Sequence, residues 1–230
     1  MFRVAERYLV PLTLSALPAL CLAVVVAGLV QPACFDWVER SVSAMAALDA
    51  EHRYLTTAAM AGSGVVHLIA ALGLTAAAVS GRVLLAAAGF FLLLAAGFPL
   101  PAGGAWSIAH AVFAGLAAVA LAAWPAVAGR CHPFAAPAGP AVALVLFALL
   151  GWYLTEVAVG GALGGFAERA ALTAEFVWLA VVVRAQARTR VPPAPLPPPI
   201  PLPLPLPLPL QTGTTMNVRT PAATAPERGR

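Results

Sequence analysis

Six long apolar runs, at 9–30, 55–79, 83–100, 105–128, 140–162 and 170–187, limit what this chain can become more than any other feature. Each is close to the roughly 20 residues that an α-helix needs to cross about 30 Å of hydrocarbon. Breakers separate them: Gln31-Pro32, Ser80-Gly81-Arg82, Pro99 through Gly104, Gly129 through Pro140, and the glycines between Gly160 and Gly165. The runs are continuously apolar, whereas a barrel strand alternates between lipid and lumen, so helices are expected. The predicted fold is all-α: an integral membrane bundle of about six transmembrane helices over residues 1–187, followed by a disordered, Pro-rich tail at 188–230.

Composition closes off other classes. Only 10% of the residues are charged and mean hydropathy is +0.90, against roughly 25% charged in soluble domains. Too little charge remains to hydrate a soluble surface. Every basic residue is Arg, and the arginines are scattered, without the clustered patch that nucleic acid requires. Arg3 and Arg7 before an apolar run can read as a signal peptide. The run is about 22 residues, longer than the roughly 7–15 of a signal core, so a retained first helix is expected.

Arginine placement sets the predicted orientation. With the N-terminus inside, Arg3, Arg7, Arg82, Arg130, Arg184, Arg188 and Arg190 face the cytoplasm, and Arg40, Arg53 and Arg169 face out. Both termini are then cytoplasmic, in a cell (inner or plasma) membrane. Cys34 and Cys131 fall on opposite faces and Cys21 inside the first run, so no disulfide framework is expected. The outer loop 31–54 reads as one short amphipathic helix carrying Phe35, Trp37, Val42 and Met45. Trp106 and Trp152 suit the membrane interface.

The tail alternates Pro and Leu from Val191 to Leu210. Proline removes amide donors and fixes φ, so polyproline II is predicted, either as a passive spacer or as a ligand for an aromatic groove on a protein partner.

Ionisable groups inside a bilayer are costly and face a bundle interior or a cavity. His67 lies near the middle of the second run. His110, Glu156, Glu168, Arg169 and Glu175 all fall in the outer half of their helices. This one-sided distribution predicts an outward-facing polar pocket, sealed below by Ala, Leu and Val. Arg169 is expected to pair with Glu156 or Glu175. Glu168 and Glu175 recur at helical spacing on one face, as do Thr56, Met60, Ser63 and His67. The competing reading is that such pairs only hold helices together, and that His67 makes a helix-to-helix hydrogen bond.

No catalytic group, metal site or cofactor is expected. A metallohydrolase needs about three ligands, but His52, His67 and His110 lie at different depths, without an HExxH spacing, and His132 is on the other face. Phosphate-binding Gly loops and the GxSxG elbow are missing.

Three segments carry a family resemblance. They are Ser41-Val42-Ser43-Ala44-Met45-Ala46-Ala47, then Gly97-Phe98-Pro99 followed by His110, then Gly165-Phe166-Ala167-Glu168-Arg169 leading to Trp178. In order and spacing they resemble the bacterial six-span membrane family catalogued as domain of unknown function nine-nine-eight, over roughly residues 10–185. The resemblance implies the six-span fold and singles out Ser43, Pro99, His110, Glu168 and Arg169. It implies no activity. The loop after Pro99 lacks an acidic residue, so no metal role is implied there.

The function expected is non-catalytic binding of a lipid headgroup, a small amphiphile or a partner protein at the outer-leaflet end, with Ser43, His110, Glu156, Glu168, Arg169 and Glu175 as ligand-binding residues. A secondary transporter or proton-coupled carrier is the alternative. A membrane-embedded enzyme acting on lipids is the third class.

Overall fold

A computed structural model describes residues 2–129 and 138–188. The tail from 189 onward, and Arg130, Cys131 and His132, lie outside the described residues. The described chain forms six α-helices: α1 (Phe2–Leu29), α2 (Arg53–Gly73), α3 (Val79–Gly97), α4 (Ile108–Val127), α5 (Ala138–Val159) and α6 (Gly164–Arg188). Among the described residues there is no strand. Each helix packs on the next and α6 packs on α1, so the chain closes an up-and-down ring.

Five helices, α1 to α5, are long and apolar enough to cross a membrane. The sixth, α6, has 25 residues but carries Glu168, Arg169, Glu175 and Arg184. It lies between α5 and α1 in the same layer, with Glu175 buried. The outward surface is apolar around the ring: Leu22, Phe90, Val119, Leu144 and Val181 are all exposed. Water would not tolerate so continuous an apolar belt, and lipid supplies the matching solvent. The chain is a multi-pass membrane protein.

Residues 30–52 run between α1 and α2 and cover one end of the ring, here called the cap end. The short amphipathic helix expected there does not form. The segment is a series of turns with one 3₁₀ turn at Ser43–Ala46. Its polar side chains compete with a helix by bonding nearby backbone: the Asp36 carboxylate accepts from the Val38 and Glu39 amides, and the Ser41 hydroxyl from the Ala44 amide. Val42, Met45, Ala46 and Ala47 are buried in the mouth of the bundle. The cap is stitched down by Leu48 N–H to the Leu100 carbonyl at 3.0 Å and by Gly103 N–H to Asp49 at 2.7 Å.

Two expected breakers are helical. Ser80-Gly81-Arg82 lies inside α3, because the bare Gly81 backbone passes against Ala128 of the neighbouring strand of chain. Gly164 and Gly165 open α6, because the Gly165 and Phe166 amides donate to the Glu39 and Val38 carbonyls of the cap at 2.9 Å each. That exchange satisfies amides a helix start would leave bare.

The apolar core sits at the opposite, far end. Leu74, Leu85, Leu121, Trp124, Leu179, Val182 and Val183 come from the far-end halves of α2, α3, α4 and α6, with Val10 and Leu17 from α1. α5 contributes little and buries only Gly139, Ala143 and Leu146.

Candidate functional site

Four structural elements converge beneath the cap: the 3₁₀ turn, the end of α3, the start of α4 and the start of α6. Ser107 caps α4, its hydroxyl accepting from the His110 amide at 3.3 Å. That start places the His110 ring beside the end of α3, where the Ala95 and Phe98 carbonyls have no helical donors of their own. Nδ1 lies 3.1 Å from the Ala95 oxygen and 3.0 Å from the Phe98 oxygen. Both are acceptors only, so Nδ1 carries a hydrogen. Nε2 then points at the Ser43 hydroxyl, 3.0 Å away.

Glu168 closes the other side. Its carboxyl accepts from the Val42 amide at 2.5 Å and from both the amide and the hydroxyl of Ser43. Ser43 therefore stands between a carboxyl and an imidazole. One hydroxyl hydrogen cannot satisfy both neighbours, so the chain Glu168–Ser43–His110 is complete only with one further hydrogen on the carboxyl or on Nε2.

Arg169 is next to this network but not in it. The expected ion pair with Glu156 or Glu175 is not formed. Nη1 donates at 2.8 Å to three carbonyls, those of Trp37, Arg40 and Gly165. The guanidinium lies 5.2 Å from the centre of the Trp37 ring. Nε and Nη2 are buried and have no acceptor.

The remaining expected pocket residues go elsewhere. Glu156 accepts from Trp152 Nε1 and from the Leu163 amide, both at 3.1 Å, and so fastens the α5–α6 turn. A carboxylate on the last turn of a helix can reach the amides of the loop that follows, which is why it turns away from Arg169. Trp152, expected from the sequence at the membrane interface, is thus a hydrogen-bond donor to Glu156. Glu175 is buried two turns deeper than Glu168 on the same face. His67 donates from Nδ1 to the Ser63 carbonyl at 2.7 Å, within its own helix, and its ring lies tilted against Phe176 of α6, 5.9 Å between centres. The helix-to-helix hydrogen bond is not made.

Ser43, His110 and Glu168 are thus brought together, with Arg169 alongside, and Glu156, Glu175 and His67 are apart. An open cleft of about 260 Å³ on the cap is lined instead by Gln31, Phe35, Arg40, Asp49, Glu51 and Gly103. Among the described residues no three His, Cys, Asp or Glu side chains gather as a metal site would require.

Sequence reasoning missed two polar anchors at the far end. Gln186 Nε2 donates to the Gly73 carbonyl at 2.8 Å while its oxygen accepts from Ala76 N–H at 3.2 Å. Arg82 Nε donates to the Ala71 carbonyl at 2.7 Å. Gln186 stands between Arg184 and Arg188, where a polar residue draws no notice in the sequence. No curated protein and no solved structure matches the chain. The profile of a family described as "Protein of unknown function (DUF998)" matches residues 15–185, from the middle of α1 almost to the end of α6, and the chain belongs to that family.

Proposed function

We propose that this membrane protein is a non-catalytic binder whose cap end faces outward and holds the anionic headgroup of a lipid or small amphiphile, with Arg169 as the anchoring cation. The observation that carries this reading is the half-used guanidinium. Nη1 is occupied by three carbonyls, whereas Nε and Nη2 are buried donors without an acceptor. An unpaired buried donor on a charged group costs more than a neutral one, and a phosphate or carboxylate matches the Nε–Nη2 edge in a two-bond fork. Glu168 beside it is bonded to the Val42 and Ser43 amides and the Ser43 hydroxyl.

Ser43 and His110 have the spacing of a nucleophile and its base. Their surroundings oppose that role. The Val42 and Ser43 amides, the nearest donors for an oxyanion, are bonded to the Glu168 carboxyl, and a carboxylate there would repel a developing oxyanion. A carrier would need a polar route through the far end, which Leu74, Leu85, Leu121, Trp124 and Val182 fill.

The test is thermal unfolding in detergent with added phosphatidylglycerol or phosphatidylcholine. A ligand at about 100 times its Kd stabilises by roughly 2.7 kcal/mol. The anionic lipid is expected to raise the Tm of wild type. Arg169→Lys keeps a cation for the three carbonyls but lacks the second pair of donors, so it should keep the resting Tm and lose the lipid-dependent rise. An equal rise in Arg169→Lys would sink the reading.

A further inference from the structure

Three polar atoms inside the bundle are buried and have no hydrogen-bond partner: Thr56 Oγ1, His67 Nε2 and Trp178 Nε1. Thr56 and His67 are 0% and 1% exposed. To these is added Glu175, 8% exposed, whose carboxyl has no hydrogen-bonding partner among the described residues. Neither cap nor core explains them. Each orphaned polar group costs roughly 1–3 kcal/mol if left dry.

Their placement is coherent. Thr56 and His67 are eleven residues apart, three helical turns, so they share one face of α2 with Ser63. Glu175 lies between Phe176 and Trp178 around the α6 axis at 100° per residue. Phe176 already touches the His67 ring. Both helices start at the cap, so Ser63, His67, Glu175 and Trp178 fall at similar depth, between the cap above and the Leu74–Leu121–Leu179 core below.

We propose that His67, Glu175 and Trp178 hold ordered water between α2 and α6, in a hydrated chamber that reaches up to Thr56, about 16 Å nearer the cap, and ends below at the apolar core. The atoms select the occupant. Nδ1 of His67 faces the Ser63 carbonyl and so carries the hydrogen, which leaves Nε2 as an acceptor. Trp178 only donates, and Thr56 does both. An anion finds too few donors, and an apolar guest leaves every group unsatisfied. Water donates and accepts, and buried water of this kind makes about three hydrogen bonds to otherwise unpaired groups. This chamber is separate from Arg169 and stands whether or not the cap end binds a lipid.

Radiolytic footprinting in lipid nanodiscs, read by mass spectrometry, tests it, because bound water activated by the X-ray pulse labels the side chains it touches. Phe176 and Trp178 are expected to label well above Trp124, which is 1% exposed within the core, and above Phe90, which is exposed outward on α3. In Glu175→Leu and His67→Leu the labelling of Phe176 and Trp178 should fall to the Trp124 level. Thr56→Val, nearly isosteric, should lower it in part and serves if the other variants fail to fold. Phe176 and Trp178 labelling no more than Trp124, or labelling unchanged in the variants, would overturn the chamber.

Discussion

Ser43 is the residue on which the cap depends. Its hydroxyl and amide meet Glu168 from α6, and its hydroxyl meets His110 from α4, so three chain segments hinge on one small side chain. Ser43→Ala leaves His110 Nε2 and part of the Glu168 carboxyl unpaired, and should lower unfolding stability by about 1–3 kcal/mol, measured by thermal or denaturant unfolding in detergent. No loss would mean that the network is not holding the cap. The contrast with Arg169 is instructive. Its three carbonyl partners accept from a single nitrogen, Nη1, a donor that lysine can supply, so Arg169→Lys separates the structural contribution from the two donors left over. The polar identity of these residues was readable in the sequence, because ionisable groups in apolar runs stand out. Their pairing was not. Depth along a helix put Glu156, Glu175 and Arg169 at similar heights but carries no information on which way a backbone carbonyl points, and carbonyls of the cap took Arg169.

Among the elements, α2 and α3 cross with their backbones close together. A Cβ built on Gly64 would lie 2.7 Å from the Gly89 carbonyl oxygen, and one on Gly89 would lie 2.6 Å from the Gly64 oxygen. Backbone cannot yield as a side chain can, so the helices would have to part. Gly64→Ala is expected to cost about 1–3 kcal/mol. Gly115→Ala in α4, where nothing lies within 4 Å, should be neutral or gain up to about 1 kcal/mol from helix propensity. Equal effects of the two substitutions on Tm would refute close packing at the crossing. The helices themselves were legible from apolar run length. Their ends shifted where glycine was read as a breaker: Gly81 and Gly165 are sites of close approach, and a sequence cannot distinguish a bare backbone that turns from one that is packed against. The cap defeated the amphipathic pattern for a related reason, since Asp36 and Ser41 bond local amides in place of helical ones.

At the largest scale, the six described helices form a ring with unequal ends. Apolar side chains fill one end, while the other is a folded cap over a layer of polar side chains. The proposed orientation, argued from arginine placement, has the cap outside, and Cys34, exposed on the cap, reports on it directly. In intact cells a membrane-impermeant maleimide should label Cys34, and Cys34→Ser should abolish that labelling. Labelling of Cys34 only after permeabilisation would invert the orientation and move the proposed lipid site to the cytoplasmic leaflet.

Native mass spectrometry of the protein released from its membrane tests the headgroup site most directly. Wild type should retain an anionic lipid or amphiphile as a defined mass adduct, and Arg169→Lys, folded to the same extent, should lose it. A bare wild-type protein, or an adduct held equally by both, would contradict Arg169 as the anchor of a bound headgroup.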